Sequence, residues 1–366
     1  MSEKNLDWLS MATEAFKKVK EELSYANIII AGKTGVGKST LINAMFHGNM
    51  AKVGVGQPVT QKIEKYEKLG IPVKLYDTKG LELEAYEKTK NEVKDFVEKC
   101  RQSENPNDHI HVAWVCITES ASRVEKGEEE LIDILTKCHI PVIVVITKAN
   151  FKESAFKQEV ENITAGKAEK VIAIRAEAIS VETEEGEMKL NPFGLENLVN
   201  ESLKLIPESQ RYAFIAAQKV SIEKKKDQVN NIIHMSATAT AGASASPIPF
   251  SDAALIIPMQ IAMIIKITHT YGIPLQEGAI SSLAASVVGC TAATAVGRSV
   301  VGNLLKLVPG LGSVAGGVVN GATAFTLTEA LGHLYSEVVS RLLVEKEGNV
   351  SSDDIIEELK IAWANR

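Results

Sequence analysis

The chain has 366 residues, enough for two domains at roughly 100–200 residues each. Its 45% hydrophobic and 23% charged residues are those of an ordinary globular protein. A net charge of −6 and a pI near 5.8 exclude a basic nucleic-acid binder, so nucleic acid is not an expected partner.

Four cysteines, Cys100, Cys116, Cys138 and Cys290, are scattered without a C-x-x-C pair. That spacing excludes a paired zinc or redox motif and suits reduced thiols in a cytoplasmic protein. Residues 1–5 are polar and carry no apolar core of a signal peptide. Charge divides unevenly along the chain. Residues 1–231 hold 33 Lys+Arg and 36 Asp+Glu, whereas residues 232–366 hold 7 and 10 and are rich in Ala, Gly and Ser. This shift predicts a domain boundary.

Residues 6–23 place Leu6, Leu9, Met11, Ala15, Phe16 and Val19 at roughly helical spacing, with Lys17, Lys18 and Lys20 opposite. They predict a leading helix, over residues 1–26, that packs on the domain behind it, ahead of a membrane-surface role, since Glu14, Glu21 and Glu22 dilute the basic face. Ile28-Ile29-Ile30 then reads as a strand, followed by Gly32-Lys33-Thr34-Gly35-Val36-Gly37-Lys38-Ser39-Thr40 and a helix opening on Leu41 and Ile42. This is G-x-x-x-x-G-K-S in the strand–loop–helix setting of a phosphate-binding loop. The glycines permit turns that a Cβ would block. The loop N–H groups and the helix N-terminus can then meet phosphate oxygens, with Lys38 reaching the β- and γ-phosphates and Ser39 offering its hydroxyl to Mg²⁺.

Val53–Gln61 contains Gly and Pro and reads as an irregular loop. Strands are predicted at 62–69 and 73–76, the second ending in Asp77-Thr78-Lys79-Gly80. A helix follows at 89–100. The near-continuous apolar runs 111–117 and 140–146 predict buried central strands. Helices at 126–138 and 151–163, a strand at 171–174 and a helix at 195–205 complete an α/β pattern. Alternating strands and helices imply a mostly parallel sheet between helices. Residues 209–231 predict one long polar helix, a connector over 208–231, whose Lys219, Lys224, Lys225 and Lys226 read as a solvated face. No H-E-x-x-H and no G-x-S-x-G is present, and His109 and His111 read as structural or exposed.

Residues 27–207 resemble an Era-like GTPase of the Ras-like superfold, on the phosphate loop, the loop threonine Thr60 and D-x-x-G in that order. The resemblance implies GTP/GDP and Mg²⁺ as ligands. It makes Thr60 the switch threonine on Mg²⁺, Asp77 the carboxylate that holds Mg²⁺ directly or through water, and the Gly80 N–H a γ-phosphate donor. Lys38, Thr60 and Gly80 are then the catalytic set. Three positions depart from the pattern. Lys79 replaces a usual proline. Leu81 replaces the glutamine that orients water, so efficient hydrolysis needs another arrangement or a partner, help worth ~10³–10⁵ in rate. The base-reading motif N-K-x-D is Thr147-Lys148-Ala149-Asn150. A carboxylate accepts from both guanine N1–H and N2–H, but an amide offers one acceptor and an NH₂ that opposes a donor. Guanine selectivity is then weaker, or the aspartate's role falls elsewhere. By the same resemblance Ser180, after Ala178-Ile179, backs the base.

In the apolar part, residues 253–265 are an uncharged run of thirteen, short for a span, which needs about 20 residues, and read as a buried core helix. Uncharged stretches 278–297 and 307–328 have span length but are rich in Ser, Thr and Gly. Helices are predicted at 328–346 and 351–363, the latter opened by a Ser-Ser-Asp-Asp cap. The motifs around Ile248-Pro249-Phe250 and Leu307-Val308-Pro309-Gly310-Leu311-Gly312 resemble the apolar helical domain of unknown function found behind bacterial Era-like GTPases. This makes 232–366 an all-α apolar helical domain, a soluble bundle or a membrane-contacting one. The expected protein is a cytoplasmic Mg²⁺-dependent GTPase switch, with a peripheral position at the inner membrane face as the variant. The alternatives are a nucleotide-binding scaffold with little hydrolysis, which Leu81 and Asn150 favour, and a membrane-inserting or remodelling protein gated by nucleotide. A guanine nucleotide, a protein effector, a membrane surface and a second copy pairing through the GTPase domain stand as partner classes.

Overall fold

The computed structural model describes residues 8–22, 24–47, 50, 57–58, 63–68, 70–78, 86–183, 186–244, 252–275, 321–346 and 348–364. The chain divides into two compact units, Ser24–Ile222 and Met1–Leu23 with Glu223–Arg366.

In the first unit, strands β1 (Ala26–Ala31), β2 (Gln57–Pro58), β3 (Ile63–Lys68), β4 (Ile71–Thr78), β5 (Val112–Thr118), β6 (Val142–Thr147) and β7 (Lys170–Ala173) form one sheet in the order β2-β3-β4-β1-β5-β6-β7. β1 pairs parallel with β4 and β5, β5 with β6, and β6 with β7, whereas β3 pairs antiparallel with β2 and β4. The mostly parallel sheet is as the strand–helix alternation requires. Successive side chains point to opposite faces of a strand, so each apolar strand feeds two cores. On one face Ile28, Ile30, Trp114, Cys116 and Val145 pack with Leu41, Ile42 and Met45 of helix α2 (Lys38–Met45). On the other, Ile29, Ala31, Val115, Ile117 and Val144 pack with helices α3 (Tyr86–Arg101), α4 (Lys126–Lys137) and α5 (Ala155–Ile163). After β7 comes a separate antiparallel hairpin, β8 (Ile179–Thr183) and β9 (Gly186–Leu190), then helix α6 (Leu195–Leu205).

The long connector helix is not one helix. The structure breaks it into α7 (Glu208–Ala217) and α8 (Ile222–Ser244). The break is built by Gln218, fully buried, whose side-chain oxygen accepts from the Val220 and Ser221 N–H groups at 2.7 Å and whose amide donates to Ser221 O at 2.8 Å. α7 is no solvated linker. Phe214 meets Trp114 and Phe46 edge-on in the first core.

The second unit is helical in its described residues: α1 (Trp8–Glu22), α8, α9 (Asp252–Thr270), α10 (Gly321–Glu345) and α11 (Ser352–Ala364). The expectation that the leading helix packs on the domain behind it is corrected here. α1 lies against α9, with Glu22 bonded to Lys266 at 3.2 Å. Close helix packing uses small residues, since a Cβ on Gly332 would stand 2.7 Å from Ile233 Cγ1. Several buried polar groups pair across the helices: Thr240 with Thr328 at 3.0 Å, Gln260 Nε2 with Thr328 at 3.1 Å, and Thr268 with Tyr335 at 2.5 Å. Lys225 is buried too, not solvated, and its Nζ donates to Thr270 O at the end of α9 at 2.8 Å. Residues 278–297 and most of 307–328 lie outside the described residues. Among the described residues no helix is long and apolar enough to cross a membrane.

Candidate functional site

The loop between β1 and α2 is shaped by three glycines in backbone conformations that L side chains rarely adopt. Gly32, Gly35 and Gly37 have φ of 147°, 79° and 105°. A Cβ on Gly32 would stand 2.5 Å from the Cys116 carbonyl oxygen, so strand β5 itself forbids one. At Gly35 a Cβ would meet nothing within 4 Å, so the loop is concave and open there. Gly37 caps α2 without a side-chain hydrogen bond, which leaves the first-turn N–H groups for another acceptor. Successive N–H groups in such a turn form an anion-binding concavity.

Lys38 folds back along this loop. Its Nζ donates to Gly32 O at 2.8 Å and Lys33 O at 3.1 Å and stands 3.7 Å from Asp77 Oδ1. Asp77 reaches this position because β4 runs parallel to β1 with Ile30 opposite Asp77. Ser39 lies exposed in the first turn of α2, Thr34 is exposed at the loop tip, and Lys33 is ion-paired with Glu125. Burial pushes the Cys116 thiol up to about 12, which leaves it protonated and inert beneath the loop. A polyphosphate and a hard divalent cation fit this set: an open nest of N–H groups, one ammonium, one hydroxyl and one carboxylate. Thr60, Gly80 and Leu81 lie outside the described residues.

A second group of residues stands beside the loop. β5, β6 and β7 are parallel, so their C-terminal ends share one edge. Thr147 ends β6, and its hydroxyl donates to Val36 O at 2.5 Å. Lys148, with φ of 54°, reaches across to donate to Gly35 O at 2.7 Å. Asn150 is held by its backbone: its N–H donates to Glu119 Oε2 and its carbonyl accepts from Arg175 Nη2, both at 2.6 Å. A cavity of about 330 Å³ opens here, a size typical of small-ligand pockets, which run roughly 300–1,000 Å³. Gly37, Thr40, Leu41, Thr147 and Lys148 form one side, and Ile174, Arg175, Ala176, Glu177 and Ile179 the other.

The structure thus gathers Gly32–Thr40, Asp77, Thr147 and Lys148 at one sheet edge. It does not place Ser180 there. Ser180 is exposed on β8, paired with Lys189, and the residues that border the cavity after β7 are 174–177 and Ile179. Neither Asn150 nor Ser180 borders the cavity. Arg175 and Glu177 escaped the sequence reading. The signal was their position directly after a parallel strand that neighbours β6, since ligands in such sheets bind outside the carboxyl ends of the strands.

Residues 27–148 match a family described as 50S ribosome-binding GTPase, and residues 210–361 match a domain of unknown function, DUF697. Magnetosome membrane protein 22 of Magnetospirillum gryphiswaldense is 32% identical over 105 residues, 29% of this chain and 54% of that protein. The tRNA modification GTPase MnmE of a Thermoanaerobacter species is 30% identical over 163 residues, 44% of this chain and 32% of that protein. The chain thus spans about half or less of the length of these curated relatives. Among solved structures, a probable GTP-binding protein engB is 26% identical with a TM-score of 0.34, covering 49% of this chain and 98% of that one.

Proposed function

The chain joins a P-loop GTPase domain, residues 27–148, to a C-terminal domain of unknown function, residues 210–361, and from that premise we propose a Mg²⁺-dependent GTP switch. Water attacks the γ-phosphorus, the bond to the bridging oxygen of GDP breaks, and inorganic phosphate leaves. Lys38 and the loop N–H groups hold the phosphates and meet the charge that spreads over them, since such catalysis is chiefly positioning and electrostatics. Ser39, Thr60 and Asp77 would hold Mg²⁺, which when bound neutralises phosphate charge and fixes the oxygens in place. Gly80 donates its N–H to the γ-phosphate. Lys148 lays its aliphatic stem along the base. Nucleotide state acts on the C-terminal helices, and the likeness to a magnetosome membrane protein supports a position at a membrane for this chain. Leu81 cannot orient water by hydrogen bonding, so intrinsic turnover is slow.

The supporting observation is the Lys38 ammonium, held by the loop's own carbonyls beneath the open Gly35 turn and 3.7 Å from Asp77. Calorimetry with GDP, GTP, ATP and XTP in Mg²⁺ tests the reading. Guanine nucleotides bind the wild type, and Lys38→Ala abolishes that binding. Failure of the wild type to bind any of the four would sink the proposal.

A further inference from the structure

Base recognition in this chain cannot rest on a carboxylate at residue 150, because Asn150 stands there. Its backbone is pinned at both ends, to Glu119 and to Arg175, and it does not border the cavity. The polar groups that do border it on the far side come from the segment after β7. Glu177 is the one carboxylate bordering the cavity among the described residues, and none of those residues bonds to it. Arg175 is 7% exposed. Its Nη groups donate to Asn191 O at 3.2 Å and Asn150 O at 2.6 Å, and its plane lies over the Phe193 ring with 5.0 Å to the centroid. Its Nε–H is buried and has no acceptor among the described residues. That Nε–H is shut away from solvent and so does not open on the cavity, and Glu177 is the exposed polar side chain that this segment brings to it.

An ionised carboxylate offers acceptors alone. Guanine presents the complement, with O6 as acceptor and N1–H and the 2-amino group as donors. Adenine reverses it, with a 6-amino donor beside an N1 acceptor. Xanthine keeps O6 and N1–H but turns an acceptor toward the carboxylate at position 2. We propose that Glu177 reads the base in place of residue 150: its carboxylate accepts from N1–H and the 2-amino group of guanine. This rests on the nucleotide-binding reading above. It names a different strand end as the source of selectivity. Arg175 holds the Asn150 carbonyl, and with it the Lys148–Asn150 turn.

The test compares GDP with IDP, which lacks only the 2-amino group, on the full chain with Mg²⁺. Inorganic triphosphate serves as a probe of the phosphate loop alone. Wild type favours GDP over IDP by about tenfold or more, the range that one unpaired polar group supplies. Glu177→Ala and Glu177→Gln each collapse the gap, and triphosphate binding is unchanged in both, which reports a folded loop. A GDP/IDP gap that persists in both Glu177 variants overturns the inference. So does a wild type with no gap, or a gap lost in Asn150→Ala and kept in Glu177→Ala. A wild type that binds triphosphate but neither nucleoside diphosphate overturns it at the base, whereas a wild type that binds none of the probes removes the nucleotide-binding reading itself.

Discussion

At the scale of the residue, the three loop glycines look equivalent in sequence and are not. Gly32 combines a φ of 147° with a backbone oxygen 2.5 Å from any added Cβ. A carbonyl in a central strand cannot move aside as a flexible side-chain tip can. Gly35 has a φ of 79° and open space around it. Gly35→Ala therefore carries only the left-handed strain of about 1–2 kcal/mol. Gly32→Ala adds a steric clash and destabilises the nucleotide-binding unit by about 3 kcal/mol or more. Thermal melts of the two variants check this, and equal shifts would refute the argument. Both glycines were plain from the motif. Which of them the core defends was not, because Cys116 comes from a strand more than 80 residues away.

At the scale of the element, strands were easier to read than the helices after them. The runs at β5 and β6 are buried on both faces, so continuous apolar sequence marks them without ambiguity. The α7–α8 stretch misled for a physical reason. Residues 208–231 contain no Gly or Pro, so local sequence does not announce a break. The break depends on Gln218, whose four side-chain hydrogen bonds replace the backbone bonds of a missing turn. Gln218→Ala takes the acceptor from the part-buried Val220 N–H and the buried Ser221 N–H and costs about 2–4 kcal/mol in a denaturant melt. Gln218→Glu keeps the two accepted bonds but turns an acceptor oxygen toward the Ile215 and Ser221 carbonyls in a buried site, so it destabilises at least as much. A melt in which Gln218→Ala matches wild type would show that the turn is held by packing alone.

At the scale of the whole molecule, alkali acts on the two units through different buried groups. In the helical unit, burial lowers Lys225 to about 7 from an ordinary 10.5, with His269 beside it lowered to about 4. The folded state binds fewer protons there than the unfolded chain, so stability rises with pH from about 4 to 6.5 for His269 and from about 7 upward for Lys225. Buried Tyr271 and Tyr335, both raised, oppose this only as pH nears the ordinary tyrosine value of 10. In the sheet unit, burial raises Cys100 to about 11 and Cys116 to about 12. Their folded state keeps protons that the unfolded chain loses near 9, so stability falls from about pH 9. Hydrogen exchange between pH 7 and 9, corrected for intrinsic rates, will show α8 and α9 gaining protection while β1 and β5 do not. In Lys225→Met the gain disappears. Gain in the wild type that survives in Lys225→Met would assign it to another group.

The sequence by itself determined the phosphate loop, the alternation of strands and helices, the mostly parallel sheet and the change to an apolar helical part. Each depends on short-range rules: glycine φ freedom, strand and helix periodicity, and local composition. Only the tertiary structure decided that Arg175 and Glu177, not Ser180, border the cavity beside Lys148. The same holds for the burial of Lys225 and for the pairing of the leading helix with α9. These outcomes depend on which distant segments become neighbours, through the β6–β7 pairing, the hairpin that carries Ser180 away, and helix packing across more than 200 residues of chain. No local pattern encodes such a juxtaposition, because the free energy that fixes it is gained only when both partners leave water together.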